Sequence, residues 1–169
     1  SYRGSMSTTM VNPFSMFSES MRSLLKPECK VLEIGSNDGV FIKNWNKENA
    51  IAVEPCSNFA NETNELGYKT DNEFWTADLA DRILEEHGTM DFIFSANCMC
   101  HIPDLDQTFK AIAKVLNSNG IFVFEDPSLL QMICLNSYDQ IYDEHPHIFS
   151  VTALQKILRR HGLHIIKVE

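Results

Sequence analysis

Apolar residues along this chain follow two rhythms. Short unbroken runs at 30–34 (KVLEI), 50–54 (AIAVE), 91–97 (DFIFSAN) and 121–125 (IFVFE) are too brief for core helices and read as strands buried on both faces. A weaker run at 68–70 and a final one at 163–168 (LHIIKV) predict a third and a sixth strand. Between the runs, amphipathic spacing predicts helices over 39–46, 58–66, 76–86, 105–116, 128–135 and 151–161, with Asn119-Gly120 and Gly162 as stop signals. Ahead of them, Phe14, Phe17, Met21, Leu24 and Leu25 recur at spacings of three and four, with Asn12 read as a cap, Pro13 as the first helical residue and Pro27 as the end. Alternating strand and helix with right-handed crossovers gives a doubly wound, mostly parallel α/β sheet. An N-terminal segment and helix (1–27) is expected to pack on a core formed by 28–169.

Composition narrows this picture. A chain of 169 residues, 44% hydrophobic, has material for one ordinary core. A net charge of −9 disfavours nucleic acid and anionic membranes as partners, since phosphates need clustered Lys and Arg. No stretch approaches the roughly 18–20 apolar residues that span a bilayer, and the opening SYRGSMSTTM lacks the apolar core of a secretory signal. Five cysteines without CxxC spacing suit a reducing, cytoplasmic setting. Cys98, Cys100 and His101 end an apolar run; the cysteines are read as small buried hydrophobes, and no metal is expected.

The first chemical signal is VLEIGSNDGV at 31–40. A strand ends at Glu33-Ile34-Gly35, turns through Ser36-Asn37-Asp38 and reaches Gly39 at a helix start. Gly35 and Gly39 let backbone approach a ligand, and Asn37 tolerates a positive φ. Glu54, nineteen residues beyond Gly35, closes the second strand where a carboxylate can accept a ribose diol. A dinucleotide loop wants glycines where Asn37 and Val40 stand, and Asp38 would repel its phosphates. S-adenosylmethionine is cationic and phosphate-free, so Glu33 and Asp38 favour it, and it is the expected cofactor; a tight turn that binds nothing is the bland alternative. Asn97, at the end of strand four, faces the same crevice or merely caps its strand. Phe74 and Trp75 follow strand three and either stack on the adenine or belong to the core.

The second signal is YDEHPHIFS at 142–150, which lies beyond strand five at the carboxyl edge, beside the expected cofactor. His145 is suited to act as a base near neutral pH, a carboxylate such as Glu144 can orient it, and the Tyr142 hydroxyl can donate to a developing oxyanion. That set suits proton removal beside a carbonyl. An extended stretch would pair Tyr142 with Glu144 and Asp143 with His145; a helical turn would pair Tyr142 with His145. Asp143 reads as a solvated acid, His147 as a cap for the next helix or a site residue. A divalent ion held by Asp126, Asp143, Glu144, His145 and His147 lacks fixed ligand spacing.

Taken together, the SYRGSMS opening, VLEIGSNDGVFIK, AVEP, the FW pair, SANCMCHIPDL, GIFVFEDPSLL, IYDEH and FSVTALQKILRRHGL resemble the central part of the sugar C-methyltransferases. These are bacterial enzymes that methylate a carbon next to the keto group of nucleotide-linked deoxysugars. The resemblance implies a class I, Rossmann-like fold with S-adenosylmethionine at Gly35, Asn37, Gly39 and Glu54. It implies His145 as general base, Tyr142 and Glu144 as its companions, and Tyr2, in Y-x-x-S-x-S, as a further active-site tyrosine. A nucleotide-sugar substrate follows, as do flanking domains, a cysteine-rich zinc module before this segment and an α/β domain after it. His147 and Ile148 depart from the small polar residue and tyrosine usual there. The antiparallel strand that normally separates strands five and six is expected to be missing. O- or N-methylation of another small molecule and a non-catalytic cofactor-binding module are the rival readings.

Overall fold

The computed structural model describes residues 8–169, with side chains from residue 13 onward. Among the described residues, five parallel strands form one sheet in the order β3-β2-β1-β4-β5. They are β1 (Val31–Ile34), β2 (Ala50–Val53), β3 (Lys69–Asp71), β4 (Met90–Ala96) and β5 (Leu116–Glu125). The chain runs outward from β1 to β3, then crosses back to β4 and β5, so the order reverses between β1 and β4. Crevices for ligands open at the carboxyl edge of such a reversal.

Among the described residues, six α-helices accompany the sheet: α1 (Thr8–Leu24), α2 (Ser57–Glu65), α3 (Ala77–His87), α4 (Leu105–Val115), α5 (Leu129–Leu135) and α6 (Val151–Arg160). The period of two divides the strand side chains between two cores. Leu32, Ile34, Ile51, Val53 and Ile93 pack with Leu79 and Ile83 of α3, Phe109 and Ile112 of α4 and Leu158 of α6. Val31, Ala50, Ala52, Phe92 and Phe94 face the other way, onto Phe41, Trp45 and Met21 of α1. As expected, α1 docks on this second face. Its Phe14 and Phe17 rings both lie 5.7 Å from Phe94, which itself stacks on Phe41 at 3.9 Å. Glu33 is drawn into the same apolar face by its place between Val31 and Gly35. No helix among the described residues is long and apolar enough to cross a membrane.

Four expectations are corrected. Helix α1 spans Thr8–Leu24 and so already contains Asn12, which is not its cap; Pro13 lies in its second turn, where it withholds one i→i−4 hydrogen bond. Residues 39–46 form only a short 3₁₀ turn, Ile42–Asn44. Asn44 Nδ2 donates to the carbonyls of Val40 and Phe41, both at 3.0 Å, taking acceptors that a continuing helix would need. Asn119-Gly120 does not sit in a loop, because β5 starts directly after α4 and takes up these residues at a register shift opposite Met90 and Phe92. LHIIKV forms no strand: 163–168 is unpaired, and Ile166 and Val168 are exposed. An apolar run becomes a strand only when a neighbour satisfies its amides.

Candidate active site

The loop after β1 is fixed by backbone. Gly35, Asn37 and Gly39 all take positive φ, at 76°, 50° and 76°. The Gly35 and Ser36 N–H groups donate to the Val53 carbonyl at 2.8 and 3.2 Å, and the Gly39 N–H to the Ser36 carbonyl at 2.9 Å. A Cβ on Gly35 would lie 2.8 Å from Cys98 Sγ, so the glycine is demanded by close approach as well as by φ.

Glu54 clamps this loop. One carboxylate oxygen accepts the Asn37 N–H at 2.7 Å, and the other accepts the Cys56 N–H at 2.8 Å, just ahead of α2. A carboxylate offers about four acceptor positions, which leaves about two for a ribose diol. Beside it, Glu33 Oε2 and Ser36 Oγ are buried with no hydrogen-bond partner among the described residues. Burial pushes the Glu33 carboxyl well above the usual carboxylate range; a hydrogen bond from the Ile42 backbone opposes that, and the charges of Glu54 and Asp38 add to it. Crowded acids and orphaned acceptors favour a cationic ligand and oppose a pyrophosphate. The donor set therefore fits S-adenosylmethionine, with Glu54 on the ribose and the acids near its cationic end.

The turn after β4 joins this loop to the opposite wall. Asn97 has φ 50° and donates its N–H to the Glu125 carbonyl at 2.7 Å, tying β4 to β5. Its exposed side chain stands at the carboxyl edge. Cys98 then abuts Gly35, and burial pushes its thiol up to about 12, so it stays protonated and unreactive. The half-buried Asp126, just past β5, accepts the N–H groups of Met99 and Cys100 at 3.2 and 3.1 Å. Next in line, His101 reaches the loop between β5 and α6. Its Nδ1 donates to the Glu144 carbonyl at 2.6 Å, and its ring lies 4.7 Å from that of His145.

That loop is held at both ends. Leu129 donates to the Phe149 carbonyl at 2.8 Å and Phe149 to the Pro127 carbonyl at 3.3 Å, while the Phe149 ring packs on Phe124. Between these anchors, the His145 N–H donates to the Tyr142 carbonyl at 2.9 Å, a turn that brings Tyr142 and His145 together. His145 Nδ1 lies 3.0 Å from the Gln140 carbonyl and must donate to it. Neutral His145 therefore keeps its lone pair on Nε2, where the Tyr142 hydroxyl sits at 2.8 Å and donates. Partial burial, then the charges of Glu144 and Cys100, push the Tyr142 phenol up, so it acts as a donor rather than a base.

Of the residues expected here, Gly35, Ser36, Asn37, Gly39 and Glu54 converge, Glu33 lies just beneath them, and Tyr142 pairs with His145. Glu144 joins through its carbonyl, and its side chain is exposed. Phe74 is 74% exposed beyond β3, whereas Trp75 is buried in the core beside α3. His147 does not cap α6: that role falls to Ser150, which accepts the Ala153 N–H, and His147 Nε2 donates to the Pro103 carbonyl. Tyr2 lies outside the described residues. From sequence, Asp126 is read only as an ion ligand and His101 only as the end of an apolar run; neither was expected to brace this wall. Their only sequence signal was position, each just past the end of a central strand.

Known proteins agree with this architecture. The "C-methyltransferase NovU" of Streptomyces niveus is 29% identical over 140 residues, 82% of this chain and 33% of that protein, so the chain spans about a third of its relative's length. Two solved S-adenosylmethionine-dependent methyltransferases share the fold. The one from Thermotoga maritima has a TM-score of 0.59 at 22% identity, covering 90% of this chain and 72% of its own. That from Archaeoglobus fulgidus has a TM-score of 0.63 at 17% identity, covering 88% and 68%. The methyltransferase domain family matches residues 13–168. With the glycine loop, the clamped acid and this match, the chain belongs to the methyltransferase domain family and has the α/β, Rossmann-like fold of the solved S-adenosylmethionine-dependent methyltransferases.

Proposed function

We propose that this enzyme methylates carbon, next to the keto group of a nucleotide-linked 4-keto-deoxysugar, through an enolate raised by His145. The observation that carries the reading is the Tyr142–His145 pair, with Nδ1 committed to Gln140 and the Nε2 lone pair at the Tyr142 hydroxyl. When a ketone enters, its oxygen takes over the Tyr142 hydrogen bond, which uncovers Nε2 for the adjacent C–H proton. The resulting imidazolium is stabilised through Nδ1–H to the Gln140 carbonyl, and Tyr142 steadies the enolate oxygen. Bound S-adenosylmethionine supplies an electrophilic methyl group. The Gly35 loop and Cys98 hold the two walls in register, and alignment of the reacting atoms is a main source of rate.

The likeness to NovU, a C-methyltransferase, supports carbon as the acceptor. A nucleotide-sugar substrate follows from the IYDEH and FS resemblance, and the flanking domains it implies belong to the same proposal, as does a role for Tyr2. The test is deuterium exchange: the full-length protein with a 4-keto-deoxysugar nucleotide in D₂O, S-adenosylhomocysteine replacing the methyl donor. Deuterium is expected at the carbon beside the ketone, and not with His145→Ala. No exchange in the unaltered protein, together with an O- or N-methylated product in a parallel incubation with S-adenosylmethionine, would overturn carbon alkylation.

A further inference from the structure

We propose that Cys100, His101 and His145 form a binding site for a borderline divalent cation of the zinc class. The Cys100 sulfur and one ring nitrogen of each histidine all lie within 4.8 Å of one another. Zinc at about 2.3 Å from sulfur and about 2.0–2.1 Å from nitrogen needs tetrahedral ligand atoms about 3.3–3.7 Å apart, so side-chain shifts of about 1 Å close the site. One thiol with two imidazoles selects zinc-class ions over magnesium or calcium, which take oxygen ligands.

Each imidazole already has a carbonyl oxygen behind it. His101 Nδ1 donates to the Glu144 carbonyl and His145 Nδ1 to the Gln140 carbonyl, which leaves Nε2 of each ring with its lone pair. The Cys100 thiol donates to Asp126, a bond given up when the ion displaces the thiol proton. Carbonyl oxygens that accept from a ligating imidazole orient it and raise its basicity. On binding, three coordinate bonds form, the Cys100 thiol releases one proton to solvent, and no electron changes hands. Three protein ligands leave a fourth position for water or for the Tyr142 oxygen, which already lies 2.8 Å from His145 Nε2. Sequence spacing conceals this cluster, because the third ligand arrives only when the loop after β5 folds back on the turn after β4. Metal binding here stands independently of the base role; its consequence, reversible masking of His145, rests on that role.

The experiment titrates the full chain with Co²⁺ and then Zn²⁺ under a thiol-free reductant. One equivalent of Co²⁺ is expected to give thiolate-to-cobalt charge-transfer absorption with tetrahedral d–d bands, and Zn²⁺ should displace it. Cys100→Ser should abolish the charge-transfer band and weaken Zn²⁺ by more than about 100-fold, beyond the roughly 10–100-fold that loss of an outer partner costs. Cys134→Ser, at an exposed cysteine outside the cluster, should change neither. S-adenosylhomocysteine binding by calorimetry verifies that each variant folds. Absent charge transfer in the unaltered protein, or unchanged Zn²⁺ affinity in Cys100→Ser, would overturn the site. Turnover is not read in this experiment, so its failure leaves the methyl-transfer reading intact.

Discussion

The two walls of the crevice are built from different materials. On the β1–β2 side the backbone does the positioning: three positive-φ residues, two N–H groups sharing the Val53 carbonyl, and a buried carboxylate gripping Asn37 and Cys56. On the β5 side, the chemistry hangs from side chains that lean on loop carbonyls, with Tyr142, Glu144 and His101 all exposed. The first wall is rigid and shaped for a ligand that is always the same. The second is open, and a substrate can displace one of its contacts, the Tyr142–His145 bond. Substitutions on the first wall should therefore damage cofactor affinity and stability together, and those on the second should damage turnover alone.

His145→Ala tests that division most severely. Turnover should fall about 10²–10⁴-fold, the range for losing a general base, while calorimetry shows unchanged S-adenosylhomocysteine affinity. A matching loss of affinity would mean that the walls are not separable. Gly35→Ala is the counterpart on the other side. A left-handed φ costs an L-residue about 1–2 kcal/mol, and crowding against Cys98 adds about 1–3 kcal/mol. Thermal melting should report about 2–5 kcal/mol of lost stability, with weakened cofactor binding. Unimpaired stability would show that Cys98 moves freely and that the two walls are not braced at this point.

A smaller loss is expected from Glu54→Gln. The carboxylate accepts two N–H groups, one on each oxygen, whereas an amide must turn its NH₂ toward one of them. One donor is left unpaired, worth about 1–3 kcal/mol. Stability should drop by that amount, and S-adenosylhomocysteine should bind more weakly still, because the ribose loses an acceptor. Equal losses in the free and bound protein would mean that Glu54 clamps the loop without touching the ligand.

The same contrast explains what could be read from sequence. Leu32, Ile51, Ile93 and their neighbours announce strands because burial on both faces demands unbroken apolar runs, and Gly35 announces a turn that admits little else. Residues 39–46 misled because Phe41, Ile42 and Trp45 follow a helical spacing, while the competing Asn44 bonds carry no periodic signal. LHIIKV looked like a strand because apolarity is local and pairing is not. Tyr142 and His145 were legible as chemistry, but which of them would meet depended on a turn that neither residue encodes. The bracing roles of His101 and Asp126 were hidden for a related reason. Their importance comes from the strand ends they follow, which only the folded sheet places beside the loop.

The mildest test concerns pH, and it separates the walls by a different property. Glu33 is 4% exposed within the phenylalanine-lined face, and desolvation above all holds its carboxyl well above the usual range. A folded-state value above that of the unfolded chain means that the folded protein keeps a proton which the unfolded chain gives up. The stability contributed is full below the ordinary value near 4.5 and drains away as pH rises through the folded-state value. The cofactor-free protein should accordingly melt at progressively lower temperature as pH rises above the ordinary carboxylate range. Glu33→Gln keeps the shape and carries no titrating proton, so its melting temperature should fall less over the same interval. The two proteins should differ most at the alkaline end, with the variant the more stable. An equal slope in both would remove Glu33 as the source, and with it the case that the floor of the cofactor wall stores a buried, protonated acid.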